Sequence, residues 1–233
     1  MDAHSPEETG RKVAQLQEQL KSILSAREEE IVHIKAETIR HLVKLRGKLP
    51  SLSNVILSKA DLCGLDLTYV DLTDADLNHA LLIGANLTEA DLVRANFQRA
   101  NLGGANLYNA DLTETDFRQA NLAKTDLSDA NLTSARLHKA DLGHGSDLTY
   151  ADLTDTDLSE ANLRAAKFPG ATLTRANLIG ADLTLAEKLT AEQVATARFD
   201  KTTRFPSYLK ITWTGDGHFT IEEDRSEDEP AEK

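Results

Sequence analysis

The groups able to bind a metal or attack a substrate are thinly spread along this chain. Cys63 is the single cysteine, and the seven histidines are scattered. No phosphate loop, zinc-ligand spacing, nucleophile motif or glycine-rich calcium nonapeptide occurs. What recurs at fixed spacing is carboxylate. Asp71, Asp91 and Asp111 stand twenty residues apart, with Asp74 and Glu114 beside them. Carboxylates in such a series attract basic surfaces and repel polyanions. They point to binding rather than bond-making. No catalytic, cofactor-binding or metal-binding residue is expected, and the protein reads as a non-enzyme.

A repeat of five residues positions these groups. Leu or Phe recurs every fifth position from Leu57 to Leu142, and again, after one extra residue, from Leu148 to Leu183. There are 26 such units, three of them centred on Phe97, Phe117 and Phe168. The residue two before the centre is Ala in 19 units, and the residue between them is Asp or Asn in 21. Side chains alternate in extended chain, so the centre and the Ala point inward and the Asp or Asn points out. The next two residues are polar or Gly, as a bend requires. Four such sides close a coil of about twenty residues, and coils stack at roughly 4.8 Å through parallel ladders. Six and a half coils make a rod about 30 Å long. His79 and His138 then share a face but lie three coils apart, too far to share a metal. Phe97 and Phe117 lie one coil apart and are expected to stack. Thr115, Thr125, Ser146 and Thr156 replace Ala at inward positions, where a hydroxyl can bond nearby backbone. Cys63, just after a centre, should face outward.

Units such as Ala90-Asp91-Leu92 and Ala120-Asn121-Leu122 fit the pattern A(D/N)LXX. The chain resembles the pentapeptide-repeat family over more than half its length. That resemblance implies a mainly β fold, a right-handed quadrilateral parallel β-helix, and no single function. Some family members protect DNA gyrase, which offers one reading of the acidic faces as an imitation of duplex DNA.

Residues twenty apart stack, so each face can be read. Two adjacent faces hold most of the acid, including Asp71, Asp74, Asp91, Asp111 and Glu114. One reading is a solvated surface whose Asp and Asn bond local backbone; the other is DNA mimicry. A third face is mixed, with Lys59, Arg99, Arg118, Arg136 and Lys139. The fourth is nearly uncharged, and there Leu81 and Ile83 break the polar rule together, which marks a place for a partner to dock.

The chain divides into a helical extension over 1–50, the repeat over 54–186, a helix and hairpin cap over 187–222, and an acidic tail over 223–233. Ser5-Pro6-Glu7-Glu8 starts a helix, and Gly47 with Pro50 stops it. Leu20, Leu24, Ile31, Ile34, Leu42, Leu45 and Leu49 form its apolar stripe. Ser25 with Glu28 could cap a second helix, so one long helix or a hairpin of two both fit. The stripe needs a partner: either a second copy, giving a homodimer of coiled-coil type, or the first coil of the rod. Thr190 to Gln193 is a capping box for a short helix. Segments 208–213 and 218–222 flank Gly215-Asp216-Gly217 as a β-hairpin. Its aromatics suit a cap on the last coil.

The net charge is −12. Its distribution is +1 over 1–53 (8 acids, 9 bases), −9 over 54–186 (19 acids, 10 bases) and −4 over 187–233 (11 acids, 7 bases). Direct nucleic-acid binding by so acidic a rod is disfavoured. Nothing in the sequence reads as a membrane span or an apolar signal segment, so a cytoplasmic protein is expected. The function expected is a protein-binding scaffold with an unidentified protein partner; the alternative is a protector or inhibitor of a type II topoisomerase.

Overall fold

The computed structural model describes residues 6–24, 29–44, 49–214 and 218–224. Helices α1 (Pro6–Leu24) and α2 (Glu29–Lys44) precede the repeat. Helix α3 (Ala191–Ala195) and strands β1 (Leu209–Thr214) and β2 (His218–Glu223) follow it. The expected starts and stops at Ser5, Ser25 with Glu28, and Gly47 lie outside the described residues, as do Leu45, Gly215 to Gly217, the tail from 225 and the side chain of Ile31.

The repeat folds as a stack of twenty-residue coils, but it contains no regular strands. In every unit except that of Leu142, where the insertion falls, the amide three residues after the centre donates to the centre's carbonyl, as Ala60 does to Leu57 at 3.0 Å. Four of the five residues therefore lie in a β-turn. One residue per side is left to pair. Ile56 bridges Asp76, Asp61 bridges Leu81, Asp66 bridges Asn86 and Asp71 bridges Asp91, all in parallel. The β character expected from the sequence thus takes the form of isolated bridges. The only paired strands among the described residues are β1 and β2, which run antiparallel.

Backbone bonds along the stack recur from unit to unit. The Leu57 amide donates to Asp76 O at 2.7 Å, and the Asp76 amide donates back to Val55 O at 2.8 Å. A third bond comes from the turn, where the Lys59 amide reaches Asn78 O at 2.8 Å. That third donor has positive φ, and the same conformation recurs in nearly every unit, with φ between 53° and 63° on its non-glycine residues. A left-handed residue with a Cβ costs about 1 kcal/mol, and its bond to the next coil offsets that strain. The Asp or Asn adds a local tie. Its Oδ1 accepts the amide two residues on, as Asp111 does from Thr113 at 3.0 Å, the pattern that favours these residues in turns.

The interior matches the sequence expectation. Every centre from Leu57 to Leu183 is at most 1% exposed, and the residues two before them are buried as well. Each buried centre contributes roughly 1.5–3 kcal/mol of transfer free energy. Phe97 and Phe117 stack with centroids 5.1 Å apart. Thr115 donates to Leu92 O, Thr125 to Leu122 O, Ser146 to Leu122 O and Thr156 to Leu132 O. The one-residue insertion is absorbed in a wider turn at Gly143-His144-Gly145. A Cβ on Gly143 would meet Asn162 Nδ2 at 2.7 Å, and Gly145 has φ +86°, so both glycines suit their places.

Side chains finish the two ends. Helices α1 and α2 pack together as a pair. Leu20, Val32, Ala36, Ile39 and Leu42 are buried in the same apolar cluster as the first coil, with Leu24 half-buried against it. The carbonyls of Ile56 and Asp61 point away from the stack, where an earlier coil would have supplied amides. Lys35 Nζ donates to Ile56 O at 3.5 Å, and Arg40 Nη2 donates to Asp61 O at 2.7 Å. The two donors are five residues apart on the helix, as their acceptors are on the coil. Lys35 is fully buried, and burial lowers its pKa.

At the other end the ladder runs past the expected boundary at Ala186. Lys167 bridges Glu187, Asn177 bridges Arg198 and Asp182 bridges Arg204. Helix α3 stands in for the fourth side. Thr190 and Gln193 form its capping box, and Gln193 Nε2 donates to Phe168 O and Ala171 O at 2.9 and 2.8 Å. The Tyr208 hydroxyl donates to Ala186 O at 2.9 Å and accepts from the Leu189 amide at 3.0 Å, replacing two ladder bonds of a missing coil. Phe199, Phe205, Trp213 and Phe219 cluster beside it. Among the described residues no helix is long and apolar enough to cross a membrane.

Candidate functional site

The outward faces of the stack carry the candidate residues. Asp71 bridges Asp91, which bridges Asp111, so the three form one column on successive coils. Each is tied to its own turn. Asp71 accepts from the Thr73 amide at 3.1 Å and from the Ser51 hydroxyl. Asp91 accepts from the Val93 amide at 3.2 Å. Asp111 accepts from the Thr113 amide and hydroxyl and, at 3.4 Å, from Asn131 Nδ2. Partial burial works to raise the pKa of Asp71, but the bonds from Ser51 and Thr73 outweigh it and leave the group below the usual range.

Asp74 differs. Arg94 grips it through Nε and Nη2, both at 2.7 Å, and this fork holds its carboxyl below the ordinary value. Glu114 adds to the acidic field around Arg94. Asp155 and Arg175 repeat the same fork lower on the rod. The two arginines of this face therefore cancel two of its acids, and the charge that remains sits on Asp71, Asp91 and Asp111, with Glu114 beside them and Asp152 further along the same column.

Leu81 and Ile83 are 41% and 47% exposed. Leu81 occupies a bridging position, paired with Asp61 above and Asn101 below, so the side-chain tie made elsewhere by Asp or Asn is lost there. Cys63 and Gly103 flank Ile83 on the neighbouring coils. Cys63 is only partly exposed, and burial, with the Asp61 side chain next, pushes its thiol up. That opposes formation of a reactive thiolate.

Of the apolar stripe on the helices, Leu42 is buried and Leu24 half-buried, while Ile34 is 42% exposed. Two concave regions occur at the ends. One, of about 300 Å³, lies between α2 and the first coil beside His33, Glu37, Arg40 and Asp61. The other, of about 880 Å³, lies at the last coil beside Pro169, Leu185, Lys188 and Tyr208. No group of three or more His, Cys, Asp or Glu suited to a metal exists among the described residues.

Sequence reasoning placed Tyr208 among the aromatics suited to cap the last coil, without its hydroxyl's bonds, and did not find Lys35 or Arg40 as end caps, because their partners are backbone atoms that no pattern marks. It placed Arg118 and Arg136 on a mixed face but missed the buried Asp116 that both of them hold. The available signal was Arg136 itself, standing where 21 of the 26 units have Asp or Asn.

Comparison with known protein families finds the same repeat. The family model for pentapeptide repeats matches eight copies, over residues 51–82, 75–113, 110–144 and 146–184. No curated protein matches the chain. Among solved structures, HetL, involved in heterocyst differentiation regulation in the cyanobacterium Nostoc sp. strain PCC 7120, is 34% identical. That match covers 58% of this chain and 71% of HetL, with a TM-score of 0.41. Rfr23 of the cyanobacterium Cyanothece 51142 is 30% identical over 52% of this chain and 63% of its own, with a TM-score of 0.28. QnrB1, a plasmid-mediated fluoroquinolone resistance protein, is 21% identical over 64% and 79%, with a TM-score of 0.47. With a five-residue period, buried Leu and Ala, bridges every twenty residues and this match across residues 51–184, the chain belongs to the pentapeptide-repeat family.

Proposed function

We propose that this protein is a non-enzymatic, cytoplasmic scaffold whose rod is a right-handed quadrilateral β-helix, and that it binds a protein partner through the uncharged face around Leu81 and Ile83. One observation carries the reading: two large apolar side chains stand exposed together at positions where the repeat places polar ones. Asp or Asn in place of Leu81 would restore the local turn bond to the amide of residue 83, so folding gives no reason for Leu81 there. A pull-down from native cells with the Leu81→Ser, Ile83→Ser double variant tests it. The partner recovered by the wild-type chain should be lost while the melting temperature holds. A bound set that does not change refutes this face.

A second reading, protection or inhibition of DNA gyrase by mimicry of duplex DNA, is favoured by the Asp71–Asp91–Asp111 column. Charge density weighs against it. Net −9 over about 30 Å is roughly half the density of duplex DNA, which carries one charge per 1.7 Å or so. A supercoiling assay at low salt decides. Mimicry requires an effect that fades with salt and weakens when Asp71, Asp91 and Asp111 become Asn.

A homodimer through the N-terminal helices would rest on the exposed Ile34, since Leu20, Ile39 and Leu42 are buried within one chain. Sedimentation of the full chain and of its Ile34→Glu variant tests that arrangement. Dimers that persist in the variant would move the interface elsewhere.

A further inference from the structure

On the side centred on Phe97, Phe117 and Leu137 the rod reverses its sign. Residues 96–99, 116–119 and 136–139 carry Arg99, Arg118, Arg136 and Lys139 against the single acid Asp116. That is a net of +3 (four bases, one acid) inside a repeat of net −9.

Asp116 organises the island. Its side chain is 5% exposed. It accepts the Arg118 amide at 3.2 Å, Arg118 Nε at 2.9 Å and Arg118 Nη2 at 2.8 Å. Arg136 Nη2 reaches it at 3.1 Å and Gln98 Nε2 at 2.9 Å. On the acidic face each arginine has its own carboxylate. Here two guanidinium groups share one buried acid and still leave 42% and 55% of their side chains exposed. Arg99, one coil earlier, donates Nε to Gln119 Oε1 at 2.8 Å, a neutral acceptor. Lys139 pairs with Glu160 on the next coil. The stacked Phe97 and Phe117 lie beneath, so the backbone that carries the arginines is firmly packed. Arg136 also gives up the turn bond that Asp or Asn would make at its position.

We propose that Arg99, Arg118 and Arg136, held in place by Asp116, form a docking site for a short acidic peptide segment of a partner protein. Planar guanidinium groups anchored on one edge and exposed on the rest suit carboxylates. The island spans three coils, about 10 Å from first to last, and three or four extended residues cover that distance. A long polyanion would have to run on over the neighbouring acidic faces, which lie within or near a Debye length of about 8 Å. The charge pattern therefore favours a short acidic peptide over a nucleic acid. The inference stands apart from the Leu81–Ile83 reading, since it concerns another side of the rod.

The test is anisotropy of a labelled oligoglutamate peptide on the full chain at low salt, beside a single-stranded oligothymidine of equal charge. The peptide should bind more tightly than the oligonucleotide and weaken as salt rises. Arg118→Ala with Arg136→Ala should weaken it roughly tenfold, the scale of one charged hydrogen bond. Arg118→Lys, which keeps the charge but loses the fork, should also weaken it. Asp116→Asn is the sharpest probe. It makes the island more positive, and Asn still offers the turn acceptor it provides at eight other bridged positions. If Asp116 positions the forks, binding falls although the charge has risen; tighter binding would reduce the site to a diffuse field and overturn the proposal. Melting temperatures verify that each variant is folded. No peptide binding, binding indifferent to the arginines, or an oligonucleotide held as tightly and lost with the same substitutions would each overturn it too.

Discussion

The middle of the rod and its two ends solve one problem with different atoms. In the middle, every coil receives amides from the coil before it, and backbone satisfies backbone. At the ends no further coil exists, and Lys35, Arg40 and Tyr208 supply the missing donors from side chains. The middle is therefore tolerant of outward change and intolerant of inward change, while each end hangs on a few polar atoms with no spare.

Leu102→Asp should break the middle outright. An unpaired charge in a dry interior costs several kcal/mol, comparable with the whole stability of a typical domain, so loss of the folded circular-dichroism signal is expected. Asn101→Asp, one residue away and outward, keeps the acceptor used by the Gly103 amide and Asn121 Nδ2, and its melting point should stay close to wild type. Equal damage from both would contradict the assignment of inward and outward positions.

The ends should respond less than the core and more than the surface. Tyr208→Phe leaves Ala186 O and the Leu189 amide without their hydroxyl, at a cost of about 1–3 kcal/mol by denaturant titration. Lys35→Met keeps the packed stem but orphans Ile56 O, with a loss in the same range. Arg40→Met should cost less, because Arg40 is partly exposed. Caps that prove silent would mean that water closes the ends as well as side chains do.

Acid sharpens the contrast further. Burial works to raise the pKa of Asp116, but its bonds from Arg118 and the charge of Arg136 outweigh that and hold it below its unfolded value of 3.8. A depressed folded value means the stabilisation is complete above pH 3.8 and is lost as pH falls through the folded value. The wild-type advantage over Asp116→Asn should therefore shrink on acidification below 3.8; an advantage constant with pH would show that packing, not charge, sets it. The smallest change should come from Leu81→Asn, which restores a turn acceptor on the surface and should move the melting point by only a fraction of a kcal/mol either way.

The coil stack was legible because each inward position repeats the same residue types, and period alone assigns their direction. The capping box at Thr190 and the hairpin over 208–222 were legible for the same reason, since their signals are local. The choice between one helix and two was not, nor was what covers the stripe. Both depend on how Leu20, Ile39 and Leu42 meet the first coil, a contact between segments that no local spacing encodes. The single-residue bridges in place of strands followed from turn geometry, which uses four residues of every five. Among candidate sites, the acidic column and Leu81 with Ile83 could be listed from register. The shared burial of Asp116 could not, because two arginines from different coils meet on it.

The ladder between coils also governs how such a chain can change length. Each residue is registered to a partner about twenty positions away, and each cap is registered to particular sides of the terminal coils. Loss or gain of one five-residue unit keeps the local pattern perfect yet turns everything downstream by a quarter revolution. The arginine island would then leave the side it shares with Lys59, and the cap at one end would sit a quarter turn round from the cap at the other. Single residues can be absorbed in a widened turn, as at Gly143 to Gly145. Whole coils are thus the change in length that keeps every face in line, while one repeat more or less keeps the ladder and both caps but moves one surface around the rod relative to another.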